Sequence, residues 1–134
     1  MKVDVIIERG KNGFFSAYMD YDGFDFGLCG DGYTIEETIK DFLIAKDEIK
    51  ECCENMGRPF PDDLEFNFKY DVPSFLAYYS DRLSLAGLQR ITGVDQGKLN
   101  HYITGKSKPG PKTTERIEKK LHAFAEEIRQ LHFV

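Results

Sequence analysis

The sequence predicts an α+β protein, a sheet-plus-helix domain of order β-β-β-α-β followed by an all-α domain. Three observations predict it. Apolar and polar residues alternate over residues 3–8, 24–28 and 64–70, the period-two signature of half-buried strands. Thr34 and Glu37 form a capping box that opens one long stretch of helical periodicity. After Pro73 the strand pattern stops, and helical signals run to the end, interrupted only at Gly93-Val94 and over residues 105–110.

Each element has its own local cause. Val3, Val5 and Ile7 alternate with Lys2, Asp4 and Glu8, which makes a strand with one buried face. Gly10-Lys11-Asn12-Gly13 supplies a hairpin turn, because Asn and Gly tolerate positive φ. Residues 14–19 are rich in strand formers and Asp20-Tyr21-Asp22-Gly23 reads as a second turn. Phe24, Phe26 and Leu28 alternate as a third strand, so an antiparallel meander is expected.

A helix over residues 34–56 places Ile35, Ile39, Phe42, Ile49, Cys53 and Met56 on one face, with Lys40, Asp41, Asp47, Glu48 and Glu51 on the other. Gly57 ends it, and Pro59 and Pro61 prevent its resumption. Leu64, Phe66, Phe68 and Tyr70 then alternate as a fourth strand. One helix covers one side of a sheet, which leaves Phe14, Ser16 and Tyr18, or their neighbours, on the other. The change of period at Asp71-Val72-Pro73 divides the chain into domains 1–71 and 72–134.

The net charge of −5 hides an asymmetry. Residues 1–72 carry eight Lys/Arg against seventeen Asp/Glu, a net of −9, whereas residues 73–134 carry ten against six, a net of +4. An acidic half repels phosphate and suits a basic protein; a basic half suits nucleic acid. No apolar run approaches the roughly 18 residues of a membrane span, and the first residues alternate like a strand, so a cytoplasmic protein with no membrane partner is expected.

Cys29, Cys52 and Cys53 have neither the even count of a disulfide framework nor zinc-site spacing, so no metal or other cofactor is expected. Asp20, Asp22, Asp25 and Asp31 lack the spacing of a calcium loop and read as solvated turn acids. His101, His122 and His132 accompany no recognisable Ser or Cys nucleophile, so no catalytic residue is assigned and the chain is read as a non-enzyme.

Residues 84–104 carry the clearest functional pattern. Ser84 caps a short helix, Gly93 supplies the positive φ of a tight turn, and Val94 plugs the angle between two helices. Asp95 caps the second helix, whose Leu99 and Tyr102 or Ile103 turn inward while Gln96, Lys98, Asn100, His101 and Thr104 face outward. Those outward groups, with Ser84 and the basic loop residues Lys106 and Lys108, have the chemistry to reach base edges and phosphates in a major groove. The pattern over residues 74–125 resembles the lambda-repressor-like helix-turn-helix family, including Gly105-Lys106-Ser107-Lys108-Pro109 after the recognition helix. The chain departs from that family at Gln89, where a small residue usually stands at the helix crossing.

A last helix over about residues 114–131 places Ile117, Leu121, Phe124, Ile128 and Leu131 at spacings of four and three. Ile117 and Leu121 are expected to pack on their own domain. Phe124, Ile128, Leu131 and Phe133 are then left over for dimerisation.

The first half, with Gly30-Asp31-Gly32-Tyr33-Thr34-Ile35-Glu36-Glu37 leading into its helix, resembles the N-terminal domain of HicB-type antitoxins, itself similar to a degraded RNase H-like fold. With a helix-turn-helix behind it, nearly the whole chain resembles a HicB-like antitoxin. The resemblance implies a first domain that neutralises a small basic HicA-like, RNA-cleaving toxin, and a second that represses its own operon as a homodimer or higher oligomer on double-stranded operator DNA. The alternative is an orphan repressor of the same architecture, whose acidic domain senses another protein or a small ligand.

Overall fold

The computed structural model of the chain describes residues 1–10 and 12–134. Lys11, part of the expected first hairpin turn, lies outside the described residues. The chain forms two compact units, Met1–Ser74 and Phe75–Val134.

The first unit contains β1 (Lys2–Arg9), β2 (Phe15–Met19), β3 (Cys29–Gly32), α1 (Ile35–Asn55) and β4 (Glu65–Tyr70). They form a mixed four-stranded sheet of order β3-β2-β1-β4, in which β1, β2 and β3 are an antiparallel meander and β4 runs parallel to β1. The parallel pairing follows from α1, since a helical crossover is long enough to return the chain in its original direction. A helical region of four helices follows, so the fold is α+β.

The third strand differs from its expectation. The alternation of Phe24 and Phe26 serves ring stacking rather than a ladder, while Leu28 is buried and its carbonyl accepts from the Met19 N–H at 3.2 Å. The Phe24 and Phe26 rings lie 5.0 Å apart and nearly parallel, and Phe26 stacks on Phe60 at 5.3 Å. The strand lies further on, at Cys29–Gly32, in the glycine-containing stretch that leads into α1.

Contact with α1 explains those glycines. A Cβ on Gly30 would collide with the backbone nitrogen of Phe42 and stand 2.7 Å from its Cα. A Cβ on Gly32 would stand 2.8 Å from Glu37 Cβ and Thr38 N. Bare backbone on β3 thus lets the helix descend onto the sheet, and Phe42, fully buried, packs edge-on against Phe66 at 4.9 Å. Val3, Val5, Ile7, Phe15 and Ala17 complete the buried face.

The ends of α1 are closed by local chemistry. Thr34 Oγ1 accepts from the Glu37 N–H at 3.1 Å, while Glu37 Oε2 accepts from the Tyr33 N–H, one residue before the usual capping-box partner. At the other end Gly57 adopts φ 68°, and its N–H and that of Arg58 donate to the carbonyls of Glu54 and Cys53, a Schellman motif. Met56 belongs to this cap and is 62% exposed, so it leaves the apolar stripe expected of it.

The opposite face of the sheet is polar and internally paired. Ser16 Oγ donates to Asp31 at 2.8 Å, and Asn67 and Lys69 donate to Asp4 at 2.9 and 2.7 Å. The hydrogen bond from Lys69, then that from Asn67, holds the Asp4 carboxyl below the usual carboxylate range. Its contribution to stability is therefore present above the ordinary pKa and lost as pH falls through the lowered one. Tyr18 donates to Glu8 at 2.9 Å, which pushes the phenol's pKa up. Ser16 and Tyr18 stand exposed here; Phe14 precedes β2, and its ring lies 4.1 Å from that of Tyr33.

The helices that follow are α2 (Val72–Tyr78), within which the unit boundary falls, α3 (Leu85–Thr92), α4 (Gln96–Thr104) and α5 (Pro111–Arg129). In the second unit Leu76, Leu88, Val94, Leu99, Tyr102 and Ile117 are buried, and α3 packs on both α4 and α5. The last helix begins earlier and ends earlier than its periodicity indicated. Gly110 caps it and Pro111 occupies its first position, where a missing N–H costs nothing. Leu131 and Phe133 lie beyond its end, so they continue the exposed apolar surface without belonging to a helical seam. Among the described residues no helix is long and apolar enough to cross a membrane.

The approach of α1 to β3 is directly testable. Gly30→Ala forces backbone apart and should cost about 3 kcal/mol, the upper end for overpacking. Gly27→Ala, whose added Cβ would meet nothing within 4 Å, should change stability by less than about 0.5 kcal/mol. Urea denaturation of the two variants measures both, and equal midpoints would contradict the close packing described.

Candidate nucleic-acid interface

Two short helices, α3 and α4, are joined by the turn at Gly93, Val94 and Asp95. Ser84 begins α3, its Oγ accepting from the Gly87 N–H at 3.0 Å. The hydroxyl still has a proton to donate outward. Gly93 ends α3 at φ 74°, a left-handed conformation that suits glycine. Buried Thr92 braces the turn: its hydroxyl donates to the Leu88 carbonyl at 2.7 Å and accepts from the Val94 N–H at 3.2 Å. Val94 is buried between the helices, and Asp95 caps α4 by accepting from the Gly97 N–H at 2.9 Å.

The structure gives Gln89 a role that spacing alone did not reveal. Its Oε1 accepts from the Gln96 N–H at 2.9 Å, so a long polar side chain on α3 satisfies one of the orphan donors of α4. Arg116 of α5 adds a second tie, its Nε donating to the Thr92 carbonyl at 3.1 Å. The guanidinium lies where a Cβ on Gly93 would stand, so a substitution there would displace Arg116 as well as strain φ.

These ties orient α4. Leu99 and Tyr102 are buried, while Gln96, Lys98, Asn100, His101 and Thr104 are all exposed. At about 100° per residue, Asn100, His101 and Thr104 share the side opposite Leu99 and Tyr102. Gln96 lies at one margin of that side and Lys98 at the other flank. Thr104 is partly committed, because its hydroxyl donates to the Asn100 carbonyl at 3.1 Å. Gly105 ends α4 at φ 80°, and exposed Lys106 and Lys108 follow in the loop. Among the described residues no carboxylate forms an ion pair with Lys98, Lys106 or Lys108.

Basic residues outside the expected set accompany them. Lys112, Arg116, Lys119 and Lys120 border a shallow concavity of about 290 Å³ on α5, together with Glu115, which is paired with Lys119 at 2.8 Å. Their spacing of four, three and one puts them along one side of the helix, a signal present in the sequence beside the apolar stripe. Of the residues assigned to dimerisation, Phe124 is half-buried, whereas Ile128, Leu131 and Phe133 are 50, 54 and 93% exposed. Among the described residues no group of three or more His, Cys, Asp or Glu is placed to hold a metal ion.

Removing the Gln89 cap isolates its contribution. Gln89→Ala should destabilise the protein by about 1 kcal/mol, the usual value of a helix-capping bond, while Gln96→Ala, which keeps the backbone donor, should be near neutral. Thermal melts of both variants decide, and indistinguishable melts would remove the capping role. No protein-family model, curated protein or solved structure matches this chain.

Proposed function

We propose that the protein is a DNA-binding transcriptional regulator. The observation that carries this reading is α4 itself: a short, doubly capped helix with its apolar side buried and Gln96, Asn100 and His101 offered to solvent. Asn and Gln side chains match the donor–acceptor pair of an adenine edge, and Lys98, Lys106 and Lys108 supply positive charge for phosphates. Ser84 and Thr104 add hydroxyls for backbone contact, and the cations of α5 extend the basic surface. Two copies would place recognition helices in successive major grooves about 34–36 Å apart on a near-palindromic operator.

For the acidic first unit the proposal is the antitoxin role of the HicB-like arrangement, in which this unit occludes a small basic RNA-cleaving toxin in the cytoplasm. The β-β-β-α-β order and the net −9 of residues 1–72 support it. An adjacent gene for a small basic protein is the observation that separates this role from that of an orphan repressor. Nothing in the reading requires catalysis or a cofactor.

Gel-shift titration tests the DNA-binding reading. With the operator defined by selection from random duplexes, Asn100→Ala should lower specific affinity about tenfold or more, the value of one bidentate base contact. Lys106→Ala should weaken binding to all sequences alike and reduce the salt slope by about one unit. Unchanged affinity in Asn100→Ala would overturn the recognition-helix assignment.

Dimerisation has its own test. Exposed Ile128, Leu131 and Phe133 make an apolar patch that a second copy would cover. Wild type should sediment as a dimer or larger at micromolar concentration, and Ile128→Asp should shift it to monomer with weakened operator binding. A monomeric wild type would remove the dimer from the proposal.

A further inference from the structure

Two loops of the first unit enclose a concavity that neither α4 nor the sheet face uses. The loop between β2 and β3 supplies Phe24, Asp25 and Phe26, and the loop after α1 supplies Arg58, Pro59 and Phe60. The volume is about 580 Å³, within the range of clefts that bury small ligands or side-chain clusters. Its aromatic side is a ring stack, Phe24 on Phe26 and Phe26 on Phe60, which Tyr21 braces from outside the lining by meeting Phe24 edge-on at 4.8 Å.

Asp25 borders the concavity, and Asp20 and Asp22 stand exposed on the same loop. The sequence thus alternates acids with rings, Asp20-Tyr21-Asp22-Gly23-Phe24-Asp25-Phe26. One guanidinium is already seated there. Arg58 Nη1 lies 3.6 Å from Asp25 Oδ2, with both side chains more than half exposed, at 59 and 77%. So long and open an ion pair contributes little to stability and is readily exchanged.

We infer that this aromatic groove, with Asp25 at its edge, binds arginine side chains of a basic polypeptide partner, with Arg58 as a placeholder that the incoming guanidinium displaces. A guanidinium stacks on ring faces and pairs with a carboxylate at once, a combination that an ammonium matches less well. The surrounding unit, at net −9, draws in a polycation and repels nucleic acid, so the occupant is a protein segment. The sheet face is a poorer anchor, because Asp4, Glu8 and Asp31 there already have hydrogen-bond partners in the chain. The inference deepens the partner-binding reading of the first unit and rests on it for the basic character of the partner. It is independent of DNA binding.

The test is calorimetric titration of the full-length protein with hexa-arginine and hexa-lysine peptides at physiological ionic strength. Hexa-arginine should bind the more tightly. Phe60→Leu, which leaves the charge untouched and removes an end ring of the stack, and Asp25→Asn should each weaken it about fivefold or more, the scale of a lost cation–π or ionic contact. The pair Glu48→Gln with Glu51→Gln, which removes more charge elsewhere on the unit, should change it less than twofold. Arg58→Ala should tighten binding, and by more than Lys46→Ala, which removes the same charge from α1. Melting temperatures identify any variant that fails to fold; the surface changes at Asp25 and Arg58 then decide. Affinity that follows total charge regardless of position, or equal binding of both peptides, would overturn the groove. Because the peptides replace the toxin, absence of a toxin gene would sink the antitoxin reading and leave this result standing, while a negative titration would leave operator binding intact.

Discussion

The backbone of α1 lies against the backbone of β3, and much of the first unit follows from that approach. With hydrogen in place of side chains at Gly30 and Gly32, the helix descends far enough for Phe42 to reach Phe66 and Phe68 of β4. The same descent carries the end of α1 to where Arg58, Pro59 and Phe60 meet the loop that precedes β3. A bulkier β3 would lift the helix and withdraw one wall of the aromatic concavity. Core packing and groove therefore depend on one steric allowance, made where strand propensity is poorest.

The second unit achieves orientation by different means. Its helices are short, so nearly every end must be satisfied by a particular side chain: Ser84 closes the start of α3, and Gln89, Thr92, Asp95 and Arg116 each close a donor or acceptor around the Gly93 turn. Those bonds hold α4 without using its outward residues. Gln96 contributes its backbone N–H to the scaffold while its side chain remains exposed. This separation lets the exposed residues of α4 vary while the turn beneath them stays constant.

Most of the architecture was legible because it depends on local patterns. The strand alternation at Val3, Val5 and Ile7, the Thr34 capping box, the Gly57 stop and the Gly93 turn are written within a few residues of where they act. What escaped depends on distant partners. Phe24 and Phe26 alternate as a strand does, but Phe60, far along the chain, recruits them into a ring stack. Gly30 and Gly32 carry no strand signal until α1 is placed on them. Gln89 looked like a misfit at a helix crossing because the donor it satisfies belongs to the next helix. The start of α5 was legible at Gly110-Pro111 and was missed because the apolar stripe begins later. The eight residues proposed to meet DNA are all exposed, as a polar helix face and a basic loop imply, whereas the aromatic groove required two loops to be brought together.

The placement of β4 beside β1 has a consequence for how the protein comes into being. Lys2 pairs with Glu65, so the ladder that joins the edge strand β4 to β1 closes over more than sixty residues. During synthesis the meander emerges first with one side of β1 unpaired, and that side stays open until nearly the whole unit has left the ribosome. Contacts of such sequence separation form slowly, because the loop entropy is spent before the ladder repays it. The helices behind it, joined by turns of a few residues, face no such delay. The acidic charge concentrated in residues 1–72 has a use in that interval, since like-charged nascent chains with a bare strand edge repel one another before they can pair.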